Sequence, residues 1–163
     1  MDARIRTYED SDEEAVVEFG LRSWAPVFDS IETVLGRELF VRLHPDRGDW
    51  RSHQQEAIRQ TLSDASMHTW VAVVGAAVAG FVSARLTGEA HLGEIFMLAV
   101  DPDHQGAGVG TALTEVATDW LCRSGARVAM IDTGGDPGHA PARRVYEKAA
   151  YTALPITRYL KAL

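Results

Sequence analysis

The spacing of apolar residues changes period along the chain, and each change marks a change of element. Residues 5–8 can make a short first strand. Between residues 12 and 62 apolar side chains recur at three- and four-residue intervals, the period of amphipathic helices. The first helix, 12–24, puts Val16, Phe19 and Trp24 near one face and Glu13, Glu14 and Glu18 outside. Ser11 reads as its N-cap, with Glu14 completing a capping box, and Pro26 closes it. A second helix covers 31–43 with Ile31, Val34, Leu35 and Leu39 on one side. The turn His44-Pro45-Asp46-Arg47-Gly48-Asp49 leads to a third, polar helix over 50–62. From residue 69 the period shortens. Residues 70–74 and 78–86 are β-rich and separated by Gly75-Ala76-Ala77, which predicts a hairpin. Thr87-Gly88-Glu89-Ala90 begins the turn into a buried strand at 95–100. Val109, Ala112, Leu113, Val116, Ala117, Trp120 and Leu121 return to helical spacing, and Gly125 ends that helix. A strand at 127–133, a helix at 141–150 and a closing strand at 156–160 complete the chain. Pro141 suits the first turn of the last helix, whose inner face is Ala142, Val145, Tyr146 and Ala149. The order β-α-α-α-β-β-β-α-β-α-β predicts a mixed α/β fold, one sheet with helices on both faces.

Between the buried strand and the helix after it lies the polar turn 101–105 and then Gly106, Gly108 and Gly110. Glycines just ahead of a helix let the backbone approach a ligand with free N–H groups outward, and the helix N-terminus adds partial positive charge. The combination predicts a site for a phosphate-bearing ligand. Its spacing differs from a dinucleotide-binding turn: five residues separate Val100 from Gly106, and Thr111 stands at the third-glycine position. No Gly-Lys-Ser or Gly-Lys-Thr follows, which excludes a P-loop.

Composition narrows the partners. The 163 residues predict one domain, 1–163, with no repeat or linker. Net charge is −7, which argues against a nucleic-acid surface and leans towards cationic partners. Cys122 is the lone cysteine and reads as a buried structural residue. The six histidines show no ligand-like spacing, so no metal is expected. The N-terminus lacks a signal-peptide h-region and no apolar run reaches about 20 residues, so the expectation is a cytoplasmic protein without a membrane segment.

The segment Ala99-Val100-Asp101-Pro102 through Gln105-Gly106-Ala107-Gly108-Val109-Gly110-Thr111-Ala112-Leu113 closely resembles the acetyl-CoA-binding motif of the GNAT superfamily of N-acetyltransferases, Gln/Arg-x-x-Gly-x-Gly/Ala. Gln105, Gly108 and Gly110 occupy its defining positions. Downstream, Ala142, Tyr146-Glu147-Lys148 and Ala149-Ala150-Tyr151 resemble the family's Ala-x-x-x-Tyr-Glu-Lys-x-Gly-Phe element. His139 stands where the family often has Asn, Ala150 where Gly is usual, and Tyr151 where Phe is common. The resemblance implies a mostly antiparallel central sheet, with residues 1–67 supplying substrate-side helices and 68–163 the sheet and cofactor core. It implies acetyl-CoA as acetyl donor, a direct transfer to a primary amine, and a homodimer as a common state.

Further roles follow from the resemblance. Backbone groups of Leu98, Ala99 and Val100 would bond the pantetheine arm, with His139 in place of the usual Asn. The amides of Gln105, Gly106, Ala107, Gly108, Val109 and Gly110, with Thr111 opening the helix, would hold the pyrophosphate. Tyr146 would be the general acid: a tyrosine of pKa about 10 is protonated at neutral pH and can donate to a thiolate. Periodicity alone leaves a core tyrosine equally open. Glu94 is the candidate base, against a solvated strand-end carboxylate, and Asp132 is a second candidate. Outside the motif, the aromatic-apolar cluster of Trp24, Pro26, Val27 and Phe28 offers a pocket wall for the amine, against the commoner core role of such residues, and Tyr159 could line the same pocket. Two other classes remain: a non-catalytic acyl-CoA sensor on the same fold, and a nucleotide-binding oxidoreductase, which the loop spacing disfavours.

Overall fold

The computed structural model describes residues 3–46, 48–89 and 91–163; Arg47 and Ala90, which fall in two of the expected turns, lie outside it. Five strands form one sheet: β1 (Arg4–Thr7), β2 (His68–Val74), β3 (Ala77–Leu86), β4 (Leu92–Val100) and β5 (Val128–Ile131), in the order β1-β2-β3-β4-β5. The first three pairings are antiparallel and β4–β5 is parallel. A parallel pair needs a crossover, and α4 (Val109–Arg123) supplies it. The sheet is therefore mixed and mostly antiparallel, with helices on both faces, as expected.

Alternation along the strands divides the core in two. On one face Leu113, Ala117 and Leu121 of α4 pack against Ala72, Val82, Ala84 and Ile95. On the other, Val16 and Phe19 of α1 (Glu13–Leu35) and Ile58 of α3 (Trp50–Ser63) meet Val71, Phe81 and Ala99. Full burial of each such aliphatic side chain is worth about 1.5–3 kcal/mol, so these stripes hold the helices to the sheet. The α4 periodicity is legible because its inward positions 109, 113, 117 and 121 are all buried.

Several expectations are corrected. Pro26 does not close the first helix: α1 runs on to Leu35 with the proline inside it. A proline costs a helix interior about 3 kcal/mol. Here the segment after it is anchored by tertiary contacts, including Phe28 stacked on Trp50 at 4.2 Å and Ser30 bonded to Asp136. The expected helix 31–43 is broken instead at Gly36, whose φ of 78° ends α1 before α2 (Arg37–Leu43) begins. Val34 of that expected stripe is exposed, and the buried residue is Phe40. The capping box forms between Glu9 and Asp12 around a 3₁₀ turn at Asp10–Asp12, not between Ser11 and Glu14. Cys122 is exposed, since it follows the inward Leu121 on the helix. Residues 151–163 form no strand; the expected strand 156–160 joins no ladder, and Ile156 is 80% exposed. A strand exists by its ladder, and Pro155 further removes a donor.

One irregularity carries through to the site. Ser83 of β3 pairs with Met97 and Ala84 with Ile95, leaving Phe96 of β4 as an extra, bulged residue. The bulge resets alternation, so Ile95, Leu98 and Val100 all join the α4 side while Met97 and Ala99 join the other. Beyond Ile95, β4 has no further pairing with β5.

Candidate active site

The end of β4 feeds a 3₁₀ turn at Pro102–His104 and then the glycine loop. Asp101 caps that turn by accepting from Asp103 N at 3.0 Å and is gripped by Arg22 of α1 at 2.9 Å. Gly106 and Gly108 have φ of 79° and 85°, and a Cβ on either would meet nothing within 4 Å, so their backbone conformation, not crowding, calls for glycine. Gly108 is the N-cap of α4 and offers no side-chain cap. Among the described residues, the backbone N–H groups of residues 106–111 find no acceptor within the protein. This row of donors at a helix N-terminus suits a pyrophosphate. The side chain of Gln105 donates through Nε2 to Val100 O at 3.0 Å, tying the loop back to the strand.

Next to the loop, β4 and β5 part. They pair only from Leu92↔Val128 to Ile95↔Ile131, so the main chain of β4 beyond Ile95 meets no strand on its β5 side. Leu98, half-buried, and Ala99 and Val100, both buried, lie on this stretch. On this stretch Val100 O is taken by Gln105.

Next in the chain is α5 (Ala140–Lys148), with Pro141 in its first turn as expected. Val145 of α5 lies beside Gly110, at 3.5 Å from a Cβ placed there, which brings the helix against the start of α4. The adjacent Tyr146 is desolvated by burial, which pushes its hydroxyl up to about 12, with Tyr151 adding to the shift. The hydroxyl thus keeps its proton at any physiological pH. Tyr151 N donates to Tyr146 O at 3.0 Å and Ala150 N to Glu147 O at 3.1 Å, a Schellman pair. The Tyr146 and Tyr151 rings, 6.4 Å apart, supply the accompanying apolar contact. Tyr151 is itself held by Thr118 of α4 at 2.7 Å.

The other expected residues are placed less uniformly. Glu94 Oε2 is committed to Arg85, with contacts of 2.8 Å to Nε and 2.7 Å to the terminal nitrogen. Arg85 also covers the ring of the bulged Phe96 at 4.6 Å. Asp132 is exposed beyond the end of β5. Trp24 packs edge-on against Phe81 at 6.4 Å and Phe28 stacks on Trp50, so both serve the packing of α1. Tyr159 is 90% exposed on the C-terminal segment after α5. His139 N-caps α5 and bonds through Nδ1 to Asp136.

Sequence reading missed Asp136 and Ser30. Ser30 Oγ donates to Asp136 at 2.7 Å, linking α1 to the β5–α5 loop. Burial alone would raise the Asp136 pKa, but hydrogen bonds from Ser30, His139 and Gly138 outweigh it and lower the net value. The only local sign was the Asp136-Pro137-Gly138 turn pattern; Ser30 left none. A groove of about 420 Å³ runs between α1 and this loop, lined by Asp29, Ser30, Thr33, Pro137 and Gly138. Among the described residues no three metal-ligating side chains gather, and no helix is long and apolar enough to cross a membrane.

The comparisons with known proteins give the class, an acetyltransferase. The model of the Acetyltransferase (GNAT) family matches residues 34–151, and the chain belongs to that family. It is similar to mycothiol acetyltransferase of Mycobacterium avium, 26% identical over 158 residues, covering 83% of this chain and 47% of that protein. The enzyme of the same name from Acidothermus cellulolyticus is 32% identical over 123 residues, covering 66% and 37%. The chain thus spans about half the length, or less, of these curated relatives. Among solved structures, a GNAT-family acetyltransferase from Desulfovibrio desulfuricans superposes with a TM-score of 0.67 at 22% identity, covering 94% of this chain and 87% of that one. The ribosomal-protein-S18-alanine N-acetyltransferase of Escherichia coli gives 0.67 at 18%, covering 94% and 80%. An aminoglycoside N-acetyltransferase in complex with CoA gives 0.62 at 15%, covering 99% and 95%.

Proposed function

We propose that this chain transfers an acetyl group from acetyl-CoA directly to a primary amine. The observation that carries the reading is the run of unpaired N–H groups over residues 106–111 beside the splay of β4. That pairing of features fits the two ends of one ligand, a pyrophosphate and a peptide-like arm. Bound there, acetyl-CoA supplies an activated thioester. The protein's part is to orient it, to polarise its carbonyl through a main-chain N–H of β4, and to return a proton as the thiol departs. Tyr146 is the donor in this scheme: its hydroxyl, raised to about 12, holds its proton at working pH, and the same shift makes transfer to the thiolate uphill until the phenolate is reprotonated. The net charge of −7 favours a cationic acceptor.

Isothermal titration with CoA, followed by thiol release from acetyl-CoA across an amine panel, tests this. Absence of CoA binding at high micromolar concentration would end the proposal. The engagement of Glu94 by Arg85 favours a second reading, an acyl-CoA sensor without turnover. That reading predicts CoA binding, no thiol release with any amine, and indifference to Tyr146→Phe. The transferase predicts a loss of about 10²–10⁴ in kcat for the same change.

A further inference from the structure

Ser30, Asp136 and His139 form a hydrogen-bonded chain that joins residues from two distant parts of the sequence. Ser30 Oγ donates to Asp136 Oδ2 at 2.7 Å; Gly138 N donates to both, at 2.9 Å to Ser30 Oγ and 3.0 Å to Asp136 Oδ2. Asp136 Oδ1 takes the ring nitrogen Nδ1 of His139. Arg143 of α5 clamps the same loop, donating to Gly134 O at 2.5 Å and Asp136 O at 2.9 Å. Two glycines make room for the cluster. A Cβ on Gly138 would lie 2.6 Å from Ser30 Cβ and 3.0 Å from Val27 Cα, and one on Gly134 would overlap the side chains of His139 and Asp136.

The arrangement is not that of a nucleophilic triad, because the Ser30 hydroxyl turns to the carboxylate and not to the imidazole. Its open end is His139 Nε2. An ionised Asp136 only accepts, so the His139 proton resides on Nδ1 and the lone pair on Nε2. Among the described residues Nε2 has no partner and is not a buried unsatisfied atom, and the His139 side chain is 21% exposed. His139 precedes Tyr146 by seven residues, which puts both on one side of α5, about 10 Å apart along its axis. The loop that carries His139 leaves β5 where β5 leaves β4.

We propose that His139, oriented by Asp136 and Ser30, takes the proton from the acceptor amine. The proposal rests on the acetyl-transfer reading above and assigns the base that Glu94 and Asp132 do not supply, one being bound to Arg85 and the other lying exposed past β5. The step balances: the ammonium gives one proton to Nε2, the nitrogen lone pair forms the C–N bond, the C–S bond breaks, the sulfur takes a proton from Tyr146 Oη, and Tyr146 regains it from the new amide nitrogen through solvent. The α1–loop groove shares Ser30 and Gly138 with the cluster and carries Asp29, which draws an ammonium towards it. Other charged groups on the elements around His139 include Arg143, spent on the loop carbonyls, with Arg144, Glu147 and Lys148 also on α5, and Asp132 at the end of β5. Asp136 and Ser30 are positioning residues.

The test uses the full chain, wild type, His139→Asn and Asp136→Asn. Calorimetry with CoA comes first: binding by wild type shows that the donor site is formed, and no binding by wild type would sink the acetyl-transfer reading itself. Nitrogen-detected NMR of the histidine ring in the CoA complex is expected to show a proton on Nδ1 and a bare Nε2, with Asp136→Asn disturbing that tautomer. A proton on Nε2 in the complex would overturn the proposal while leaving donor binding untouched. With whichever of spermidine, glucosamine or kanamycin turns over, His139→Asn is expected to lower kcat at least 10²-fold and to remove the acid limb of the kcat/KM profile. An unchanged acid limb with kcat within threefold of wild type would refute it. If no acceptor turns over, the NMR result alone decides.

Discussion

Ala150 is the only non-glycine residue with positive φ among those described, at 63°, and it is the C′ position of the Schellman pair that ends α5. A left-handed conformation costs an L-residue about 1–2 kcal/mol. Replacing it by glycine removes that strain but adds backbone freedom to the unfolded chain, which returns about 0.4–1 kcal/mol. The strain outweighs the entropy, so Ala150→Gly is expected to stabilise the protein by about 0.5–1 kcal/mol. At this chain length that corresponds to a rise in Tm of about 1–4 °C. Calorimetry and urea unfolding measure it. Ala149→Gly is the control: its φ of −81° is ordinary for alanine, so glycine there should lower stability. Amide exchange at Tyr151, whose N–H closes the turn on Tyr146 O, should slow in Ala150→Gly. Equal or lower Tm for Ala150→Gly, or the same sign for both variants, would refute the reasoning.

Tyr146 should also be visible in alkaline unfolding. Its hydroxyl is raised to about 12, so the stability it gives as a neutral group is intact below about pH 10 and lost as pH rises through 12, roughly 2–3 kcal/mol in all. Denaturation at pH 8 and pH 11 should show a smaller loss in Tyr146→Phe than in wild type; matching losses would contradict the burial argument. Asp12 works at the other end of the scale. The Arg6 guanidinium, at 2.7 Å, lowers its pKa against the opposing effect of burial, so its contribution is present above pH 3.8 and lost as pH falls below it. Asp12→Asn should cost about 1.5–3 kcal/mol near neutrality and flatten the acid limb of stability, as read by urea midpoints at pH 3 and pH 6. Gly93 sits under α4: a Cβ there would lie 3.1 Å from Leu121 Cγ and 3.2 Å from Ala126 Cβ. Gly93→Ala should cost about 1–3 kcal/mol, and pairing it with Leu121→Ala should cost less than the sum of the two, because the cavity accepts the methyl.

What sequence alone determined is local in its physics. The α4 stripe at 109, 113, 117 and 121, the glycines before it and the β2–β3 hairpin are set by periodicity and turn chemistry, and the structure keeps them. The glycine loop ahead of α4 was legible for the same reason, since it belongs to one contiguous strand-loop-helix segment. Only tertiary contact decided the rest. Packing of Phe28 on Trp50 and Ser30 on Asp136 carries α1 through Pro26 against its local preference. The bulge at Phe96 and the parting of β4 from β5 arise from pairing between strands, which no single segment encodes. The strand pattern at 156–160 stayed unused because no neighbour pairs with it. The Ser30–Asp136–His139 chain spans more than 100 residues of sequence, and its geometry exists only once α1 and the β5–α5 loop are packed together, which is why neither Ser30 nor Asp136 announced itself beforehand.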